Sequence, residues 1–255
     1  MPYILENMTA EDITQVAAIE RLCFSMPWPT SAYKRELKTP DTNRYIVVRF
    51  IPPEDAPALG LQLPNEQNLT ALDHPMLHTS NGHEMDGGRS GRSWLDTLLP
   101  WRRPAANRLP EIDRNHARFP VVGYAGLWLM VDEAHVTTIG VHPDHRGQGA
   151  GELLFLGLAD LAAELNALRV TLEVRVSNTG AQALYRKFGL DIAGLRRRYY
   201  SDNGEDAYIM WSEPVTSPQF QHRLSKVRAQ LAERLRSSFT QRRPPSHPVD
   251  TSKLQ

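Results

Sequence analysis

The stretch Val141-His142-Pro143-Asp144-His145-Arg146-Gly147-Gln148-Gly149-Ala150-Gly151 decides how the rest of the chain is read. It joins an apolar, strand-like run from Ala134 to Val141 to a helix-patterned run from Glu152 to Asn166. Between them lie three glycines and an arginine. A glycine-rich turn opening onto a helix N-terminus makes an anion site. Glycines let the backbone approach a phosphate, free N–H groups point at it, and the helix dipole adds roughly half a positive charge. The ligand such a turn suits carries phosphate, here a pyrophosphate. An ordinary strand-to-helix turn also uses glycine, so the turn alone leaves both readings open. No Gly-Lys-Ser/Thr follows the glycines, which excludes a P-loop, and the Gly-x-Gly-x-x-Gly of dinucleotide folds is missing. What remains is Arg/Gln-x-x-Gly-x-Gly/Ala, met by Arg146, Gly149 and Gly151.

Outward from this turn the periodicities are clear. Leu154, Leu158, Leu161 and Leu165 form a buried helical stripe. Leu168 to Val176 alternates, with Leu172, Val174 and Val176 on one face and Thr171, Glu173 and Arg175 on the other. Thr179 to Phe188 reads as a short helix stopped by Gly189, and two last strands flank the turn Ser201-Asp202-Asn203-Gly204. Upstream, Pro120 to Met130 and Ala134 to Val141 read as strands around Val131-Asp132-Glu133. A short strand at Tyr3 to Leu5 precedes Thr9-Ala10-Glu11-Asp12, a capping-box-like helix start, and Ile13, Val16, Ile19 and Cys23 mark one helix face. After Phe24 to Pro29, Thr30 to Leu37 is a second short helix and Arg44 to Ile51 a strand.

Residues 52–118 are rich in Pro, Gly, Asn, Asp and His without sustained periodicity, and are expected to be a disordered insertion in a β-hairpin. Trp94 to Trp101 is the exception, a short amphipathic segment suited to docking on the domain or on a partner. After Trp211 the chain is expected to leave the domain. Leu224, Val227, Leu231 and Leu235 suggest one amphipathic helix, followed by a Pro-rich tail. The domain is then 1–213, interrupted by the insertion, with 214–255 as helix and tail.

The motifs Leu172-Glu173-Val174-Arg175, Ser177-Asn178, Ala183-Leu184-Tyr185-Arg186-Lys187-Phe188-Gly189, Arg197-Arg198-Tyr199-Tyr200 and Glu205 to Met210 follow the glycine turn in order. Together with it they resemble the GNAT N-acetyltransferases, and within them the RimI type, bacterial enzymes that acetylate the N-terminal alanine of a ribosomal protein. The resemblance covers roughly residues 1–50 and 119–213. It implies an α/β (α+β) GNAT fold, a twisted and mostly antiparallel sheet flanked by helices, and acetyl-CoA as co-substrate.

The resemblance also implies roles. The pyrophosphate would lie on Arg146, Gly147, Gln148, Gly149, Ala150 and Gly151, and the pantetheine arm along Ile139-Gly140-Val141 with Asn178 holding it. An N-cap is the competing role for Asn178, and one side chain can serve both. Acyl transfer to an amine needs a base for the ammonium and an acid for the thiolate. Glu173 takes the place of the base and Tyr185 that of the acid, against an exposed strand glutamate and a half-buried packing tyrosine as structural alternatives. Pro27 and Trp28, with Tyr199 and Tyr200, would wall a slot for a protein N-terminus. Two other readings stay open: acetylation of a small-molecule amine, and a non-catalytic interaction protein that docks through insertion and tail.

Composition narrows the classes. Lys+Arg and Asp+Glu are equal at 29 each, so neither a nucleic-acid nor an anionic-membrane surface is indicated. The single cysteine, Cys23, excludes an internal disulfide and is expected to be a small buried packing residue. The first residues show no basic segment followed by an apolar core, and the longest apolar run, Val121 to Val131, falls short of the ~20 residues a bilayer needs. A soluble cytoplasmic protein is expected. His142, His145 and the other histidines lack metal-ligand spacing, and no metal is expected.

Overall fold

The computed structural model describes residues 3–52, 55 and 119–241, with side chains as far as 237. Almost all of the expected insertion, the 94–101 segment and the Pro-rich tail lie outside the described residues. The elements are β1 (Tyr3–Asn7), α1 (Ile13–Cys23), α2 (Thr30–Glu36), β2 (Asn43–Phe50), β3 (Val121–Met130), β4 (Glu133–Val141), α3 (Ala150–Glu164), β5 (Arg169–Arg175), α4 (Thr179–Lys187), β6 (Asp191–Tyr200), β7 (Glu205–Trp211) and α5 (Pro218–Gln241). Their boundaries lie within a few residues of those the periodicity predicts. At the start of α1 the expected box is present: the Asp12 carboxylate reaches back to the Thr9 backbone N–H at 2.9 Å.

The strands form one seven-stranded sheet in the order β1-β2-β3-β4-β5-β7-β6. Every neighbouring pair is antiparallel except β4 and β5. That parallel pair makes only the rungs Glu133–Arg169, Ala134–Val170 and His135–Thr171. Beyond His135 the strands part: β4 continues on β3 to Val141, and β5 on β7 to Arg175. A register shift in the β3–β4 ladder at Gly126/Leu127, opposite Val136 and Thr138, lies just past the fork. An extra residue of this kind bends its strand and increases its twist, which carries β4 away from β5.

Each face of the sheet has its own core. Under α3 and α4, Leu153, Leu154, Phe155 and Leu158 pack on Leu127, Val136, Leu172 and Val174. The predicted stripe is there, with Leu154 and Leu158 fully buried, each contributing about 1.5–3 kcal/mol. Under α1 and α2 a second core gathers Ile13, Val16, Ile19, Tyr33, Tyr45 and Tyr124. Arg49 is buried on β2 and pairs with Glu6 at 2.8 Å and with Asp12, while its guanidinium also donates to the Phe119 carbonyl at 3.1 Å. This ties the described ends of the β2–β3 connection together.

The C-terminal helix departs from expectation. It was expected to leave the domain, and instead α5 packs along α3, with Phe220, Leu224, Val227, Leu231 and Leu235 inside the first core. Arg228 pairs with Asp160 at 2.6 Å and Arg234 with Glu152 at 2.6 Å. An apolar stripe of this length is stable in water only when it is covered. The side of α3 turned away from the sheet supplies that cover.

Candidate active site

The glycine turn leaves β4 at Val141 and enters α3 at Ala150. The first α3 bond to this turn runs from the Leu153 N–H to the Gly149 carbonyl at 2.9 Å. The N–H groups of Ala150, Gly151 and Glu152 therefore have no partner within the helix and are free for an anion. Its glycines differ in purpose. Gly147 has φ +70° and open space where a Cβ would be, so its backbone can be approached closely. Gly149 has φ +99°, and a Cβ there would lie 2.7 Å from Leu231 Cδ1. That glycine makes room for α5. Gln148 closes the turn by donating to the Asp144 carbonyl at 2.6 Å. Arg146 folds back onto the end of β4, donating to the Val141 carbonyl at 3.1 Å and contacting Cys23 Sγ at 3.4 Å. Cys23, expected to be buried packing, is only partly buried, and its thiol donates to the same carbonyl at 3.3 Å.

Beside this turn the fork between β4 and β5 leaves strand edge without a neighbouring strand. Ile139, Gly140 and Val141 lie on β4 beyond the last rung to β5, so their backbone groups on that side have no β5 partner. Asn178 sits at the end of β5 and caps α4, its side chain accepting from the Ala181 N–H at 3.1 Å.

Glu173 stands on β5 two residues past the fork, with its side chain 6% exposed. Arg196 of β6 approaches Oε1 at 3.3 Å, and His135 Nε2 approaches Oε2 at 3.2 Å. His135 Nδ1 in turn lies 3.2 Å from Thr171 Oγ1. Glu173 is therefore neither bathed in solvent nor alone. Tyr185 lies in the first core against Phe155, ring centroids 5.7 Å apart, and is 8% exposed. Burial, with a smaller contribution from Tyr200, raises its phenol above the ordinary value and keeps it protonated.

The residues expected to wall an acceptor slot separate into two groups. Tyr199 and Tyr200 meet edge-on at 5.2 Å, with the Arg175 guanidinium 3.7 Å from the Tyr200 ring centroid and Arg196 5.5 Å from that of Tyr199. A double irregularity in β6 between Arg196 and Tyr200, with Arg198 at φ +52°, aims these side chains off the regular pleat. Trp28 turns away from them toward Tyr33 and Trp128, at 5.8 and 6.1 Å, while Pro27 is exposed. The loop between α1 and α2 meets the β6–β7 turn through other residues. Ser25 Oγ donates to Asp202, and Ser201 Oγ lies 3.5 Å from Met26 Sδ. Arg175 anchors this strap on Asp202 at 2.8 Å and on Glu205 at 3.1 Å. Ser177 hydrogen bonds, aided by Arg175, hold the Glu205 carboxyl down at about 2, so it is charged at any ordinary pH. Glu20, buried beneath the loop, accepts from the Trp28 N–H at 3.1 Å and the Tyr33 hydroxyl at 2.8 Å.

Sequence reasoning missed His135, Arg175, Ser25 and Asp202 as members of this site. The only signal for His135 was its place two residues into a strand whose neighbour carries Glu173, and strand pairing is not written in either segment. Among the described residues no cluster of His, Cys, Asp and Glu is placed to hold a metal, and no helix is long and apolar enough to cross a membrane.

With this geometry in hand, comparison with known proteins is informative. The Acetyltransferase (GNAT) family model matches residues 85–190. A Bacillus subtilis protein named putative [ribosomal protein bS18]-alanine N-acetyltransferase is 52% identical over 91 residues, 36% of this chain and 60% of its own length. An N-alpha-acetyltransferase RimI from Mycobacterium tuberculosis is 43% identical over 120 residues, 44% of this chain and 74% of its own length. The match thus spans less than two thirds of the Bacillus protein and about three quarters of the mycobacterial one. Among solved structures, the ribosomal-protein-S18-alanine N-acetyltransferase of Escherichia coli superposes with a TM-score of 0.52 at 21% identity, covering 85% of this chain and 96% of its own, a likeness of fold. The forked sheet, the glycine turn at the head of α3 and the mycobacterial relative agree: the chain belongs to the GNAT acetyltransferase family.

Proposed function

We propose that this protein transfers an acetyl group from acetyl-CoA to the N-terminal α-amine of a protein, as its relatives' names describe for a ribosomal-protein alanine. The supporting observation is the position of Glu173, at a fork open to an extended arm and within electrostatic reach of Tyr199 and Tyr200. Acetyl-CoA fits the residues present. The free N–H groups of the first turn of α3 suit its pyrophosphate, and the stretch Ile139 to Val141, which β5 leaves without a rung, suits its pantetheine amides, with the Val141 carbonyl held by Arg146 and Cys23. Bound there, it supplies an activated acetyl thioester.

The chain's own residues supply the rest. Glu173 takes a proton from the ammonium, directly or through one water, since both its oxygens already have neighbours. Tyr185, held protonated, is the donor for the departing thiolate. Tyr199, Tyr200 and the strap crowd the approach, which admits a chain end more readily than an internal loop. An α-amine titrates at ~7.7–8.0 and a lysine at ~10.4, so freeing the lysine costs roughly 3 kcal/mol more at neutral pH.

Two peptides test this, one with a free N-terminal alanine and no lysine, the other N-blocked with one lysine. We expect faster acetylation of the first; faster acetylation of the second overturns the N-α reading. Glu173→Gln should lower turnover by about 10²-fold or more while acetyl-CoA affinity holds, with the defect shrinking as pH rises. Wild-type turnover at neutral pH would remove Glu173 from the chemistry.

A further inference from the structure

Acetylation of an ammonium by a thioester releases one proton to solvent per turnover. The ammonium loses two protons, of which the thiolate keeps one. On the reading of Glu173 as base, on which this inference rests, the other proton begins on a carboxylate whose side chain is 6% exposed. Arg196 on Oε1 has no lone pair and cannot carry it further. On Oε2 the neighbour is different. His135 Nε2 lies at 3.2 Å, and its side chain is 23% exposed.

We propose that His135 receives the proton from Glu173 and delivers it to solvent. When Nδ1–H donates to Thr171 Oγ1, at 3.2 Å, the Nε2 lone pair faces Glu173. In the step, the ammonium N–H bond breaks and an O–H bond forms on Glu173, leaving the electron pair on nitrogen to bond the thioester carbon. The C–S bond then breaks with its pair on sulfur, an S–H bond forms as the Tyr185 O–H bond breaks, and the second proton from the nitrogen restores the phenol. The Glu173 O–H bond breaks as an N–H bond forms at His135 Nε2, and that N–H bond breaks in turn as the imidazolium, its side chain 23% exposed, gives the proton to water. A neutral imidazole nitrogen is a competent proton acceptor, and Nε2 is the one placed on Oε2. The surrounding groups are few. Arg196, Tyr199 and Tyr200 of β6 lie within electrostatic reach of Glu173, and Trp128 of β3 is the cross-strand neighbour of His135. His135 is a positioning and relay residue, because it acts on the amine only through Glu173.

The test uses the full chain, acetyl-CoA and the lysine-free peptide with a free N-terminal alanine. His135→Gln keeps a hydrogen-bonding side chain but cannot relay a proton, and His135→Ala leaves a gap open to solvent. We expect each to lose about tenfold in turnover near neutral pH with acetyl-CoA affinity unchanged, and the acidic limb of the pH profile to move. Added imidazole should restore His135→Ala in proportion to its unprotonated form, which a merely structural role would not produce. If His135→Gln matches wild type across the pH range while Glu173→Gln is inactive, the relay is wrong and the base reading stands. If Glu173→Gln is itself as active as wild type, both fall. A His135→Ala protein that melts as wild type does yet shows no imidazole rescue also overturns the relay.

Discussion

Under α3, α4 and α5 the sheet is covered by aliphatic side chains, Leu153, Leu154, Leu158, Leu224 and Leu231 among them. Under α1 and α2 the core mixes Ile13, Val16 and Ile19 with Tyr33, Tyr45 and Tyr124, and Glu20, Glu36, Arg49 and Asp12 are buried on that side. The aliphatic face supports a backbone shape, the glycine turn, which presents N–H groups at the head of α3 and needs no side-chain chemistry of its own. The other face fixes the directions of side chains and of the loop between α1 and α2, and hydrogen bonds to buried charges do that better than packing. Buried polar groups add orientation at the risk of large losses when a partner is removed.

The sharpest way to break this contrast is Arg49→Met, which leaves Glu6 and Asp12 facing an apolar side chain. Removing one partner of a buried ion pair costs about 3–5 kcal/mol, to be read as a lower urea midpoint. If stability were unchanged, the charges on this face would be incidental. Leu231→Ala probes the aliphatic face. It should lose about 2–5 kcal/mol by cavity formation and also weaken acetyl-CoA binding, because Leu231 backs Gly149. Lost stability with intact acetyl-CoA affinity would detach α5 from the cofactor turn. The smallest effect is expected at Glu20→Gln. Burial raises the Glu20 carboxyl pKa, outweighing the Trp28 and Tyr33 hydrogen bonds. A raised folded-state pKa favours folding most below the unfolded value of ~4.3, and that advantage is lost as pH rises through the folded value. Wild type should therefore gain stability relative to Glu20→Gln on acidification, seen as converging or crossing melting curves between neutral and acidic pH. Parallel curves would show that burial imposes no charge penalty there.

Legibility followed the same division. The turn from Val141 to Gly151 and the leucine stripe after it were readable because their signals are local: glycine spacing and helical period. The identity of Glu173 as a candidate was readable from its motif, yet its neighbours were not, since His135 and Arg196 reach it by strand pairing and by an irregularity in β6. Trp28, expected in the slot, packs on Tyr33. The contact across the acceptor side is made instead by Ser25 and Asp202, short polar residues that carry no pattern at all. For α5 the stripe was visible, but the surface it covers is composed by α3, and no single segment spells out that complementarity.

The seat of Gly149 against Leu231 also has a meaning in time. A chain made from its N-terminus presents the glycine turn long before the helix that backs it, and domains settle as units while synthesis proceeds. Until α5 emerges, the outer side of α3 is an uncovered apolar surface, and the turn lacks one wall. A chain halted before α5 should thus hold most of the sheet without a finished cofactor site.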